Sequence, residues 1–497
     1  MALKPDTFGV KGSLCYSEEV VGDIRMSLFS RLVRGATDIK YLIRSAFCEE
    51  PEDTVVMAFQ TRDIRGGKGE RTLFHTMMKE ILTKQPSLAK HLLPLVPVYG
   101  RWDDVWKIGA ASEAVDEVVL EQFRYDQESE NPSLLAKWLP REGKPMAKHF
   151  ADLLFPLVPA ENGQRMRSYR KTVAFLNRAL ETVEIKMCGK AWASIRPGSV
   201  PGQLMSRNRA AFMNHVGKCG SDDRVKCADQ FRAFIDDVMD GKKKINGGQT
   251  TMPHEHIRNI IRLETNQDID NVTEAQWRAI VDETKKEGGL GRAVFMCDFS
   301  GSMEGVPKDV SLGLGILGSQ VCTMPGFRNR ILTFDYEPKW HEFQENATLR
   351  EKVASIGRLG VGTNTNFLKA CMLVLEGVVG GGQCPTHMIV ITDMGFDAAA
   401  GDDSKSWATQ FQIVRKAFAD AGYEAPVIVN WNVSASYKDA HATANEVGVV
   451  ELSGWSPSLL KVLQGGLQVV TPMEGLRKTL DNKRYDLVRR ALEAAKA

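Results

Sequence analysis

Two patterns of apolar spacing divide the chain. From about residue 18 to residue 285, apolar side chains recur at three- and four-residue steps, as in Ile24, Leu28, Leu32 and Val33, then Ile39, Leu42, Ile43 and Phe47. This is the spacing of one face of an α-helix. Gly66, Gly67, Pro86, Pro94, Pro97 and Gly100 punctuate the pattern. Helices joined by short turns predict an all-α helical-repeat region, an α-solenoid or compact array, and no fixed repeat period is visible.

From about residue 286 the pattern changes. Short continuous apolar runs at 293–297, 387–392, 426–431 and 448–452 read as buried strands. Residues 330–335 and 339–343 read as a hairpin, and 309–322, 367–375 and 406–420 as helices. Strands alternating with helices predict an α/β doubly wound sheet. Gly313, Gly315 and Gly318 would let the first of these helices lie close against that sheet. Residues 472–495 are amphipathic and predict helices that dock back on the amino half. The expected division is an extension at 1–17, a helical-repeat domain at 18–285, an α/β domain at 286–470 and terminal helices at 471–497. The charged, then glycine-rich stretch 282–291 reads as the hinge.

The chemistry is concentrated where the buried strands end. The run 293–297 stops at Asp298, followed by Ser300 and Ser302 at alternate positions; Thr363 follows a glycine-rich turn, and Asp393 closes the strand 387–392. Carboxylates and hydroxyls at the carboxyl ends of parallel strands collect where open α/β sheets bind ligands. Few carboxylates and several hydroxyls suit a hard cation, magnesium first, with manganese or calcium as substitutes, whereas zinc would call for Cys and His. The plain alternative is that Asp298 and Ser300 cap the next helix and Asp393 starts a turn.

The strings DFSGS, GTNT and ITD resemble the metal-ion-dependent adhesion site of von Willebrand factor A domains. The resemblance implies an A-type domain from about residue 290, with Asp298, Ser300, Ser302, Thr363 and Asp393 as metal ligands. It also implies a partner protein whose Asp or Glu completes the coordination, and no reaction.

Composition narrows the alternatives. A chain of 497 residues predicts two or more domains, and 43% apolar with 25% charged residues is ordinary for a soluble protein. A net charge of +2 argues against a uniformly basic nucleic-acid binder but leaves room for a local patch. No run of about 18 apolar residues occurs, so no membrane span is expected, and the first residues lack a secretory apolar core. Nine dispersed cysteines without a C-x-x-C pair read as reduced thiols in a cytoplasmic, reducing compartment.

Three segments of the helical half stand out. RDIRGGKGER at 62–71 sets Arg65, Lys68 and Arg71 around paired glycines, which reads equally as a phosphate contact or as a glycine turn with solvated charges; it is not a Walker A loop. Trp102 and Trp106 in YGRWDDVW read as helix-packing anchors. Between 164 and 209 basic residues far outnumber acidic ones. Arg165, Arg167, Arg170, Lys171 and Arg178 are the candidate phosphate contacts there, with Tyr169 nearby for stacking; the alternative is a solvated or internally paired face. His254 and His256 in PHEH fall in a helical pattern, where residues two apart do not face each other, so no zinc site is expected.

RDIRGGKGER, VYGRWDDVW, FLNRALETVEIKMCGKAWASI and PHEHI resemble the motifs of an uncharacterised family that pairs such a helical region with an A-like carboxyl half. That family is distantly similar in architecture to the Ro/TROVE RNA-binding proteins. The resulting expectation is a non-enzymatic binding protein, its helical region taking RNA or ribonucleoprotein and its A-type domain a partner carboxylate through a divalent metal. The first alternative is an assembly protein of a larger particle, for example a virion component, using metal-dependent contacts between subunits. A metal-dependent hydrolase is a distant third, because few acidic ligands are present.

Overall fold

The computed structural model describes residues 5–217, 220–246, 250–262, 266–286, 288–333, 337–356, 366–395, 410–464 and 470–496. Helices fill the chain from Glu18–Val21 to Gln267–Lys286, and a mixed six-stranded sheet follows. The helix Pro51–Arg62 runs through the centre of the amino half, with every side chain from Asp53 to Arg62 buried. The helix is buried on all sides although it carries Asp53, Gln60 and Arg62, and Lys40–Glu49, Arg71–Lys84 and the two carboxyl-terminal helices enclose it. Pro51 opens it at the first turn, where no amide donor is needed.

The sheet is built from β3 (Ala293–Cys297), β4 (Arg330–Thr333), β5 (Lys339–Glu342), β6 (His387–Thr392), β7 (Val427–Asn432) and β8 (Val449–Ser453); β1 (Thr7–Phe8) and β2 (Leu14–Cys15) make a separate small hairpin. The order is β5-β4-β3-β6-β7-β8, all neighbours parallel except the β4–β5 pair. From β3 the chain first moves outward to β4 and β5, then crosses to β6 and moves the other way. The switch point therefore lies between β3 and β6, the place where such sheets carry their ligand crevice.

The glycine-spaced helix, Val306–Val321, is held between the sheet and the helical half. A Cβ on Gly315 would stand 2.3 Å from Cys297 Sγ, and one on Gly318 2.0 Å from the Phe295 ring. Gly313 faces the other way, onto the backbone of Pro253 and His254. The PHEH segment is thus a packing element. His254 meets Trp455 edge to face and His256 meets Trp277, and both imidazoles are buried. Burial pushes both down to about 3, so they are neutral in the folded protein.

Among the described residues three apolar clusters form the interior, and two of them draw on both the amino-terminal and the carboxyl-terminal parts of the chain. The sheet's own cluster takes in Val33, Ile257, Ile260, Trp277, Ile280 and Val281 from the helical half. A second holds residues 16–176 together with Leu476, Leu480, Tyr485, Val488 and Leu492 from the terminal helices. A third gathers residues 183–245 around Phe212 and Phe231, whose rings stack at 4.5 Å. On either side of residue 287 the stretch 282–291 is tied to its surroundings. The helix Gln267–Lys286 continues into it, with Trp277 Nε1 donating to Gln320 Oε1 at 2.8 Å, and Leu290 bonds through its backbone to Val321 and Thr323. Residues 5–17 pack against the rest of the chain. The β1–β2 hairpin leans on the α/β unit through a Tyr16–Ala440 bridge and the Val10 N to Asp439 bond.

One buried acid lies outside the crevice. Glu451 on β8 has no hydrogen-bond partner for Oε1 among the described residues, and burial together with the charge of Glu446 pushes it up to about 7. The folded state therefore holds a proton that the unfolded chain has lost by about pH 4.5, so stability falls as pH rises from about 4.5 to 7 and is level above. Glu451→Gln is expected to flatten that slope and to raise stability at pH 8 by about 2–3 kcal/mol. Chemical denaturation at pH 5 and pH 8 checks it; equal pH dependence in both proteins would show that the carboxyl titrates normally.

Candidate metal centre

Asp298 leaves β3 and Asp393 leaves β6, on either side of the switch point, and both are fully buried. The register explains the convergence. Cys297 is paired with Ile391, so the next residues of the two strands emerge side by side, and Asp298 N donates to Ile391 O at 3.1 Å. Asp298 Oδ1 accepts from Ser300 N at 2.9 Å and Oδ2 from Thr392 Oγ1 at 2.8 Å. Asp393 Oδ1 accepts from Gly395 N at 3.0 Å, while Oδ2 has no partner among the described residues. Ser300 Oγ and Ser302 Oγ lie 3.2 Å apart on the β3 side.

The electrostatics of this arrangement favour a cation. Burial and then the negative charge of Asp393 push the Asp298 carboxyl up to about 6. Two buried carboxylates facing one another, one with an orphaned oxygen, are costly in a low-dielectric site unless a positive charge joins them. The donor set is all oxygen, with the hydroxyls of Ser300 and Ser302 beside the carboxylates, the chemistry of a hard-cation site and not of a thiophilic one. Asp298, Ser300, Ser302 and Asp393 are thus brought together. Thr363 lies outside the described residues.

Beside the crevice is a group that sequence spacing did not disclose. Cys15, Asp439 and His441 place ligand-type atoms within 4.8 Å of one another. Cys15 Sγ is 3.6 Å from His441 Nδ1, and His441 Nε2 is 2.9 Å from Met394 O, next to Asp393. Burial pushes the Cys15 thiol up to about 12 and the imidazole down, so the pair is neutral. The cluster ties the amino-terminal hairpin to the loop after β6, and Lys11 from the same hairpin reaches to 3.5 Å from Ser302 Oγ. Cys15 and His441 are separated by 426 positions, so no local motif could announce them.

The basic candidates divide by burial. The amides of Gly67, Lys68, Gly69 and Glu70 all donate to carbonyls of Gln60, Thr61 and Asp63, leaving none to cradle a phosphate. Lys68 is fully buried: Nζ donates to Phe29 O at 2.9 Å, Leu32 O at 3.2 Å and Ser453 Oγ at 2.5 Å. It cannot reach a nucleic acid, and that expectation is corrected. Arg71 is engaged with Asp103 and Asp104, which also hold Arg62, His75 and Lys107. Arg65 alone of the loop's three candidates is exposed.

On the helix Gln164–Ala179, Arg165 pairs with Asp152 and Arg170 with Glu142. Arg167, Lys171 and Arg178 are exposed and in no ion pair among the described residues. Tyr169 is buried, its hydroxyl donating to Pro140 O at 2.7 Å, so it does not stack on a ligand. The exposed aromatic is Phe175, 65% accessible, which the sequence reading passed over. At about 100° per residue, Arg167, Arg178, Lys171 and Phe175 fall within a roughly 80° arc of the helix.

Residues 292–493 match a family described as Domain of unknown function (DUF7788), and residues 158–290 match one described as Domain of unknown function (DUF2828). An uncharacterized protein of Acanthamoeba polyphaga mimivirus is 27% identical over 512 residues, spanning 96% of this chain and 87% of its own length. The two matches and the viral relative support an uncharacterised family, and the matches meet at residues 290–292, where the last helix of the helical region gives way to β3.

Proposed function

We propose that the chain is a non-enzymatic binding protein whose α/β unit holds a divalent cation and, through it, a carboxylate of a partner protein. The observation that carries this reading is the pair of buried, facing carboxylates at the switch point, with hydroxyls beside them and one carboxylate oxygen unpartnered. This is the arrangement that the resemblance to von Willebrand factor A domains implies. When bound, magnesium would supply an open coordination position for an acidic side chain, and Asp298, Ser300, Ser302 and Asp393 would hold it. Thermal unfolding of the full chain tests the site. Magnesium is expected to raise the Tm of the wild type and not that of Asp298→Ala; an equal rise in both refutes the assignment. A role in assembling a larger particle would use the same centre between copies, and the viral origin of the relative is compatible with it.

A second surface supports RNA as a further partner. Arg167, Lys171 and Arg178 with Phe175 combine unpaired cations and an exposed ring on one helix face, the pairing of charge and stacking that single-stranded nucleic acid uses. Reversing the three cations to Glu is expected to weaken RNA binding and to reduce its log–log salt slope by up to about 3. Phe175→Ala is expected to weaken binding by about 1–3 kcal/mol with the slope unchanged. Filter binding across a salt series separates the two effects, and RNA affinity untouched by both changes would reduce this face to a solvated one.

A further inference from the structure

The loop 62–71 does not cradle phosphate with its amides, yet one of its residues borders a basic cavity that no sequence motif describes. The cavity, of about 380 Å³, opens where the loop, the segment after β8 and the terminal helices converge. Arg65, Lys461, Lys478 and Arg484 line it, together with Ser458 and Thr479. Its described lining contains four cations and no carboxylate. Asp63, the partner of Arg484, is buried and already engaged: Arg484 grips both its oxygens, and Tyr485 Oη lies 3.4 Å from Oδ2.

Two of the cations are fixed before any ligand arrives. Arg484 is held by Asp63, and Lys478 Nζ donates to Val462 O at 2.7 Å and Gln464 O at 2.9 Å. Gly66 keeps the entrance open to Arg484, since a Cβ there would meet Arg484 Cδ at 2.8 Å. Arg65, whose backbone oxygen accepts from Ser458 Oγ at 3.2 Å, stands exposed at the rim. Preorganised guanidinium and ammonium groups recognise phosphate oxygens. A cavity of this size suits a ligand of nucleotide dimensions, and with Arg484 already matched by Asp63 the other cations of the lining, Arg65, Lys461 and Lys478, suit the several negative charges of a polyphosphate.

We propose that this cavity binds the polyphosphate group of a nucleotide-sized small molecule. The loop comes from the helical half and the other three segments from the carboxyl-terminal part, so the ligand would bridge the two and its binding would depend on their being packed together. The site is separate from the metal centre and from the basic helix face.

Calorimetric titration of the full chain with inorganic triphosphate, in chelator so that the metal centre plays no part, tests the proposal; adenosine triphosphate in a parallel arm shows whether a nucleoside adds to the phosphate contact. Saturable binding is expected, weakened at least about tenfold by Arg65→Glu. The Tm of that variant without ligand should match the wild type, because Arg65 is exposed. Lys461→Gln is expected to weaken binding as an independent second change. The Arg167→Glu, Lys171→Glu, Arg178→Glu protein should bind triphosphate as the wild type does. The proposal is overturned by absence of binding, by wild-type affinity in Arg65→Glu, or by loss of binding in the helix-face variant. It is also overturned if a 5′-hydroxyl oligonucleotide occupies the cavity as tightly as triphosphate, which would assign it to a nucleic-acid backbone.

Discussion

Lys68→Ala is expected to destabilise the protein by about 3–5 kcal/mol, more than any change at the exposed basic positions. Lys68 is fully buried, and its Nζ joins Phe29 O and Leu32 O of the helical half to Ser453 at the end of β8. Truncation removes those bonds, leaves Leu32 O without a donor among the described residues and opens a cavity the length of a lysine side chain. Phe29 loses a cation 4.0 Å above its ring as well. Ser453 Oγ still donates to Phe29 O, so the junction is weakened and not erased. Lys68→Met restores most of the volume and separates packing from bonding: it should recover part of the loss, and the remainder measures the ammonium's contacts. Urea denaturation followed by fluorescence reads both. A Lys68→Ala protein as stable as the wild type would mean that the two halves do not rely on this contact.

The same loop shows what sequence could and could not convey. Gly67 looked like backbone freedom for a ligand, but a Cβ there would stand 1.9 Å from Gln60 O; the glycine lets the chain fold back on its own helix. Arg, Lys and Gly in a short string are compatible with either use, and only the location of acids far along the chain decides between them. Asp103 and Asp104 claim Arg71, and Ser453 claims Lys68, from 385 positions away. Strand positions were legible for a different reason. A strand buried on both faces must be apolar throughout, so the apolar run 387–392 has the same limits as β6, and the residue ending it lies at the carboxyl end of the sheet. In the stretch 282–291 glycine and charge mark a helix end as readily as a linker: the helix Gln267–Lys286 runs into it, and its buried face is shared between the third cluster, through Val272 and Ala275, and the sheet's cluster, through Trp277, Ile280 and Val281. Tyr169 and Phe175 carry the same lesson. Both are aromatic on one basic helix, but three- and four-residue spacing sets Tyr169 with Val173 and Leu176 on the buried face and leaves Phe175 outside.

Asp298→Asn is expected to reverse the order of stability between chelator and magnesium. At pH 8 without metal, the wild type holds Asp298 ionised although burial and Asp393 have moved its carboxyl up to about 6, a cost of about 2–3 kcal/mol relative to a free aspartate. The sign follows from linkage: a carboxyl raised in the folded state destabilises as pH climbs from about 4 to 6, and the loss is complete at pH 8. Asparagine is neutral and nearly the same shape. Its carbonyl can accept from Ser300 N as Oδ1 does now, and its amide would face the Thr392 hydroxyl, which can turn to accept. The variant should therefore be the more stable protein in chelator. Magnesium inverts this: a cation between the two carboxylates removes their repulsion in the wild type, adding about 2.7 kcal/mol at a hundred times Kd, and has lost half its charge complement in the variant. Paired thermal scans at pH 8 in chelator and in magnesium give the four values needed. Curves that cross establish that the facing carboxylates are a cation site; a variant less stable than the wild type by the same margin in both conditions would mean that Asp298 serves the loop after β3 as a structural acceptor, and that the switch point carries no metal.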